Sequence, residues 1–213
     1  MINIDRHRVF ISYYHEDDQY YKNNLINRQE MNPETFQLQS IFEDCSVHED
    51  EIDDIGLTAE DIRRIIRDNY IKDATVLILL CGKNTKKRKH IDWEIHAAMY
   101  DSNKNPKMGI LVINLPTIKQ CEIACGKDEE QMLGPYTNWR PLDKNIDYLR
   151  NTYPYLPERI ITNIARDNVS ITVVNWDDIA NDNNKIKYLI DKAFKRKYTN
   201  DYDHSATLKK YNG

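Results

Sequence analysis

Short apolar runs separated by polar stretches set the pattern of this chain. Arg8 to Tyr13 (RVFISY) is β-branched and aromatic, too short for a helix and closed by a polar cluster, so it predicts a buried first strand. From about Asp17 to Gln29 the sequence is polar with Tyr20, Tyr21 and Leu25 near one stripe, which predicts a surface helix ending before Pro33. Phe36 to Phe42 alternates well enough to predict a second strand. Thr58 with Asp61 three residues on has the form of a capping box, and Ile62, Ile65, Ile66 and Tyr70 follow at helical spacing, giving a helix over 59–70.

Thr75 to Leu80 (TVLILL) is apolar at every position but its first, the pattern of a parallel strand covered by helices on both faces. Ile91 to Tyr100 (IDWEIHAAMY) has the composition of a helix, and Gly109 to Leu115 (GILVINL) reads as another buried strand. This βαβαβαβ order predicts an α/β fold: a flavodoxin-like open, mostly parallel sheet with helices on both faces and ligands beyond the carboxyl ends of the strands. Residues 116–157 carry five of the seven prolines and little periodicity, so an irregular excursion is expected. Pro157 starts a short helix, Ile171 to Val174 is a late strand, and Ile186, Leu189, Ile190, Ala193 and Phe194 outline a C-terminal amphipathic helix. These elements predict one domain over 1–199 including a C-terminal extension, then a flexible tail over 200–213.

A chain of 213 residues buries one substantial core. Its 30 Lys and Arg against 34 Asp and Glu leave a net charge of −4, which gives no reason to expect nucleic acid or an anionic membrane as partner. Charge is uneven locally. EDCSVHEDEIDD at 43–54 is acidic and KNTKKRKH at 83–90 is basic, so each reads as a solvated loop, the second also as a phosphate contact. The four cysteines lack C-x-x-C pairs, and no signal peptide precedes the first strand, which together predict a reduced, cytoplasmic chain. Cys121 and Cys125 are spaced to share a helical face, without histidines to complete a metal site. No apolar run reaches the length of roughly 20 residues that a membrane span needs.

Two stretches fall at strand carboxyl ends and should meet in space. One supplies Phe10, Ser12, Tyr13, Tyr14, His15 and Asp17, the other Cys81, Gly82, Lys83, Thr85, Arg88, Trp93 and Glu94. The aromatic residues fit either packing or contact with a base. Ser12 and Asp17 fit two roles, binding ribose hydroxyls or capping the helix that follows. Lys83, Thr85 and Arg88 fit a pyrophosphate or a solvated loop. By residue type alone, Glu94 reads as an early-turn carboxylate that complements the helix dipole. His15, His90 and His96 have no spacing that points to a metal or a triad.

RVFISYYHEDD resembles the opening motif of the TIR (Toll/interleukin-1 receptor) domains. TVLILLCGKNTKKRKHIDWEI resembles the strand, Gly-Lys-x-Thr loop and Trp-Glu helix that hold that family's catalytic glutamate. YPYLPERI, followed by VSITVVNWDDI, is similar to the TIR-like proteins of the bacterial Thoeris anti-phage system. The resemblance implies that Glu94 cleaves the nicotinamide N-glycosidic bond of NAD+, with NAD+ as substrate rather than cofactor. It also implies a cyclic ADP-ribose isomer as second messenger for a separate effector, and a homo-oligomer on activation. Phe10, Ser12, Tyr13, Tyr14, Asp17, Gly82, Lys83, Thr85 and Trp93 are the expected substrate contacts. The Arg-Asp and Pro-Gly residues common in the second-strand loop of animal signalling TIRs are missing, replaced by Ser46 to Gly56, which argues against an adaptor-type surface. The rival class is a noncatalytic TIR or flavodoxin-like docking module, and the fold alone also admits a flavin site.

Overall fold

The computed structural model describes residues 6–46, 56–71, 73–102, 106–124, 126–134, 139–140 and 144–213. Its first half runs β1 (Arg8–Ser12), α1 (His15–Ile26), β2 (Gln29–Met31), β3 (Leu38–Ser40), β4 (Glu43–Asp44), α2 (Ala59–Ile65), β5 (Val76–Cys81), α3 (Lys89–Met99) and β6 (Gly109–Asn114). The second half adds β7 (Ile123–Ala124), α4 (Lys127–Leu133), β8 (Trp139–Arg140), α5 (Ile146–Thr152), α6 (Glu158–Ile164), β9 (Thr172–Asn175), α7 (Trp176–Ile179) and α8 (Asn183–Arg196).

Seven strands form one sheet in the order β4-β1-β5-β6-β9-β7-β8. The first five are parallel, and renumbered among themselves they follow 2-1-3-4-5, the flavodoxin-like winding. The apolar runs behave as their composition requires: every residue of β5 and β6 is buried, in register from Val76 against Gly109 to Cys81 against Asn114. Phe10, Leu77, Leu79 and Val112 pack with Ile62 of α2, Trp93 and Ile95 of α3 and Ile160 of α6. Val9, Ile11, Ile78 and Ile113 pack on the opposite face with Leu25 of α1 and Ile186, Leu189 and Ile190 of α8. Gly109 is glycine because α8 crosses it closely: a Cβ there would overlap the Ala193 carbonyl.

Four expectations need correction. Phe36 to Phe42 is not the second strand of the sheet. Leu38–Ser40 pairs with Gln29–Met31 in a separate antiparallel hairpin, and the sheet position beside β1 belongs to Glu43–Asp44. Asn32 turns the hairpin, its Oδ1 accepting from the backbone N–H of Glu34 (2.8 Å) and Thr35 (3.1 Å), and only Ile41 and Phe42 beyond it reach the core. The buried stripe of α1 is Asp18, Lys22 and Leu25, while Tyr20 is exposed, so the helix hides two charged residues that a hydrophobic pattern assigns to solvent. The helix begins at His15 rather than Asp17.

The third correction concerns 116–157, whose described residues hold two strands and two helices. α4 has little apolar periodicity because what anchors it is the fully buried Glu129, whose carboxylate receives Arg196 (2.9 and 2.8 Å) and Thr172 Oγ1 (2.6 Å). The fourth is the tail, which has no helix or strand but is not loose. Asn200 and Tyr202 are buried, and residues 206–213 run as a strap over the first turns of α3. Trp93 Nε1 donates to the Lys209 carbonyl (2.8 Å), Lys209 N donates to Asp92 Oδ2 (2.9 Å), and Lys89 N donates to Asn212 Oδ1 (2.9 Å). Arg159 braces the same place, reaching both Asp92 oxygens (2.9 and 3.1 Å).

Elsewhere the pattern holds. Thr58 and Asp61 form the capping box reciprocally (3.1 and 3.2 Å), and the helix over 59–70 continues past Ile65 as a π-turn over Ile66–Tyr70. Cys121 lies in the extended connection before β7, not on a helix, and Cys125 and residues 47–54 of the acidic loop lie outside the described residues. Among the described residues no helix is long and apolar enough to cross a membrane.

Candidate active site

β1 and β5 are the strands between which the winding reverses direction, so the crevice at their carboxyl ends is where this architecture places ligands. Ser12 is the last residue of β1 and is buried. Its Oγ donates to Glu94 Oε2 at 2.6 Å, linking strand end to α3 across 82 residues of sequence. Glu94 is half-buried, and its other oxygen has no hydrogen-bond partner among the described residues. Desolvation pushes the Glu94 carboxyl up to about 7, against the Ser12 hydrogen bond that favours its ionised form. At neutral pH this group is poised between base and acid.

Two residues beyond Ser12, Tyr14 forms the rim with Arg88, whose guanidinium lies 3.6 Å from the ring centroid. The Tyr14 hydroxyl donates to Glu16. Tyr13 points to the other side, buried, its hydroxyl donating to Gln19 Oε1 at 2.7 Å, and desolvation pushes it up to about 12. The β1–α1 and β5–α3 loops are joined where Asn84 Nδ2 donates to Asp17 Oδ2 at 2.7 Å.

Gly82 and Thr85 shape the β5–α3 loop. Thr85 is fully buried; its Oγ1 accepts from Gly82 N (2.8 Å) and donates to the Leu80 carbonyl (3.3 Å), so its hydroxyl staples the loop. A Cβ on Gly82 would fall 2.6 Å from Asp18 Oδ1, so glycine is needed for the loop to lie on α1. Phe10 and Trp93 belong to the core beneath, and Lys83 is exposed on the turn. The structure thus gathers Ser12, Glu94, Tyr14, Asp17 and Gly82 around the crevice. It sends Phe10, Trp93 and the Thr85 hydroxyl into packing and leaves Lys83 in solvent.

Sequence reasoning missed Asp18. It is wholly buried, neither carboxylate oxygen has a hydrogen-bond partner, and desolvation with the nearby Asp17 charge pushes it up to about 7. The run HEDD gave no signal, because three acids at a helix start read as dipole complement. A surface groove of about 700 Å³, lined by asparagines of α1 and the α7–α8 connection together with Tyr20 and Arg28, contains none of the crevice residues. Chemistry and register, not concavity, make the crevice the candidate site.

An open parallel sheet wound 2-1-3-4-5, with a serine-held glutamate at its switch point, defines a flavodoxin-like α/β protein. Residues 10–120 match the family described as Thoeris protein ThsB, TIR-like domain. The chain belongs to that family, which makes it a TIR protein of anti-phage defence. The matched residues include both stretches that build the crevice; YPYLPERI and VSITVVNWDDI lie beyond them. No curated protein and no solved structure matches the chain.

Proposed function

We propose that this protein cleaves NAD+ at the nicotinamide–ribose bond and closes the ADP-ribose part into a cyclic isomer that signals to a separate effector. The observation that carries the reading is the Glu94 carboxylate, held at 2.6 Å by Ser12 at the switch point of the sheet. Breaking the ribose–nicotinamide bond sends its electron pair to the pyridinium ring, which leaves as neutral nicotinamide. The leaving group needs no proton, so one carboxylate suffices where ordinary glycoside hydrolysis uses two. Ionised Glu94 stabilises the oxocarbenium-like ribose or holds one of its hydroxyls. Attack at C1′ by water gives ADP-ribose; attack by a nucleophile of the same substrate's adenosine end gives the cyclic isomer. Either route releases one proton, and a carboxylate pushed up to about 7 is suited to accept it.

Liquid chromatography with mass spectrometry on NAD+ reactions tests this, using purified wild type and Glu94→Gln and lysates expressing each, with and without phage challenge. Nicotinamide and an ADP-ribose product from wild type alone are expected. No product from folded wild type, even in challenged cells, would end the catalytic reading.

One observation favours a docking role instead. Met31, Phe36 and Leu38 stand exposed on the β2–β3 hairpin, Phe36 at a φ of 54°, a rare backbone for a bulky residue. A docking module keeps its biological output in Glu94→Gln, whereas the enzyme loses it.

A further inference from the structure

The basic loop at the rim contains one arginine, and its surroundings differ from those of its neighbours. Lys86 Nζ donates to the Pro154 carbonyl, Lys87 Nζ to Asn84 Oδ1 (3.0 Å), and Lys89 Nζ stands over the Trp93 ring. The side chain of Arg88 has neither a carboxylate nor a hydrogen-bond acceptor among the described residues, and its Nε is sealed from solvent without a partner. We infer that Arg88, laid over the Tyr14 ring, receives the diphosphate of the dinucleotide; the inference rests on the NAD+ reading above.

Three features support this assignment. A guanidinium presents parallel N–H groups that match two phosphate oxygens, and stacking on Tyr14 holds that plane in place before the ligand arrives. Arg88 caps the start of α3 six residues before Glu94, about 9 Å along a helix axis at 1.5 Å per residue. Tyr14 likewise lies just past Ser12. A dinucleotide with its reacting ribose at Glu94 therefore brings its 5′-phosphate toward the Tyr14–Arg88 pair. Glu16 and Asp17 stand at the same rim, committed to the Tyr14 hydroxyl and Asn84 Nδ2. Their charge opposes a bare anion, so recognition requires the phosphates to come attached to a nucleoside. Lys83, exposed and with no side-chain partner among the described residues to fix it, is the competing cation, a mobile point charge rather than a fork.

The test is calorimetric titration of the full chain with ADP-ribose and, separately, with adenosine, which lacks the phosphates. Arg88→Met should weaken ADP-ribose at least about tenfold while leaving adenosine within about twofold. Arg88→Lys should lose about threefold by keeping charge without the fork. Lys83→Met should change neither by more than about twofold. Should Arg88→Met melt early, Arg88→Gln replaces it with the same expectation. The inference is overturned if Arg88→Met binds ADP-ribose as wild type does, if Lys83→Met shows the larger loss, if adenosine weakens equally, or if wild type prefers adenosine. Nicotinamide release by wild type is scored separately. Turnover with no dependence of ADP-ribose binding on Arg88 ends this inference alone; Arg88-dependent binding without turnover ends the enzyme and keeps the site.

Discussion

Glu94 and Asp18 flank the same strand ends from opposite faces of the sheet, one on α3 and the other on α1, and desolvation pushes both up to about 7. Their surroundings differ. Glu94 has a hydroxyl donor and keeps solvent access; Asp18 has no donor and none. Burial alone therefore raises a carboxyl without making it useful. A donor that favours the ionised form, together with solvent access, is what separates Glu94 from an acid lodged against Gly82 without either.

The largest expected effect is on Glu94. Glu94→Gln should lower nicotinamide release at least about a hundredfold, and wild-type activity should rise with pH through about 7 as Glu94 ionises. If Asp18→Asn abolished that acidic limb and Glu94→Gln kept it, the two carboxylates would exchange roles.

Asp18 should instead register in stability. Its folded pKa lies above the unfolded value, so the native state binds the extra proton between about pH 4 and 7, and stability falls as pH rises through that window. At 1.36 kcal/mol per pH unit the loss is on the order of 4 kcal/mol. Urea unfolding of wild type against Asp18→Asn should show their stability difference growing by about that amount from pH 4 to 7.5. A constant difference would mean that Asp18 finds a partner.

Gly82→Ala sharpens the packing side of the contrast. The added methyl meets the Asp18 carboxylate, at an expected cost of about 2 kcal/mol. Combining it with Asp18→Ala should recover about 1 kcal/mol relative to the sum of the single changes. The smallest effect is that of Ser12→Ala. Losing the donor pushes Glu94 further up, so the acidic limb of the activity profile should move to higher pH and turnover at pH 7 should fall several-fold, with the melting temperature nearly unchanged.

Much of this site was legible because its scaffold is apolar. RVFISY, TVLILL and GILVINL have no stable place except a covered parallel sheet, and the order of their connections fixes which strand ends meet. Glu94 is a candidate only through resemblance, since a carboxylate in an early helical turn has an ordinary explanation. Asp18, Lys22 and Glu129 were illegible: each is an ionisable side chain buried in the fold, and hydrophobic periodicity assigns such residues to the surface. Thr85 misled for a related reason, because a hydroxyl in a Gly-Lys-x-Thr loop looks available until its own loop is seen to use it.

The strap over α3 closes contacts between residues 116 to 123 positions apart. Such closure follows the assembly of the sheet beneath it in time, and because it depends on single hydrogen bonds near the surface it should also be the first part of α3 to open in native fluctuations. Amide exchange at Lys89 should therefore run ahead of exchange in β5 and β6, making the helix that carries Glu94 kinetically the youngest part of the crevice and the most easily unfastened.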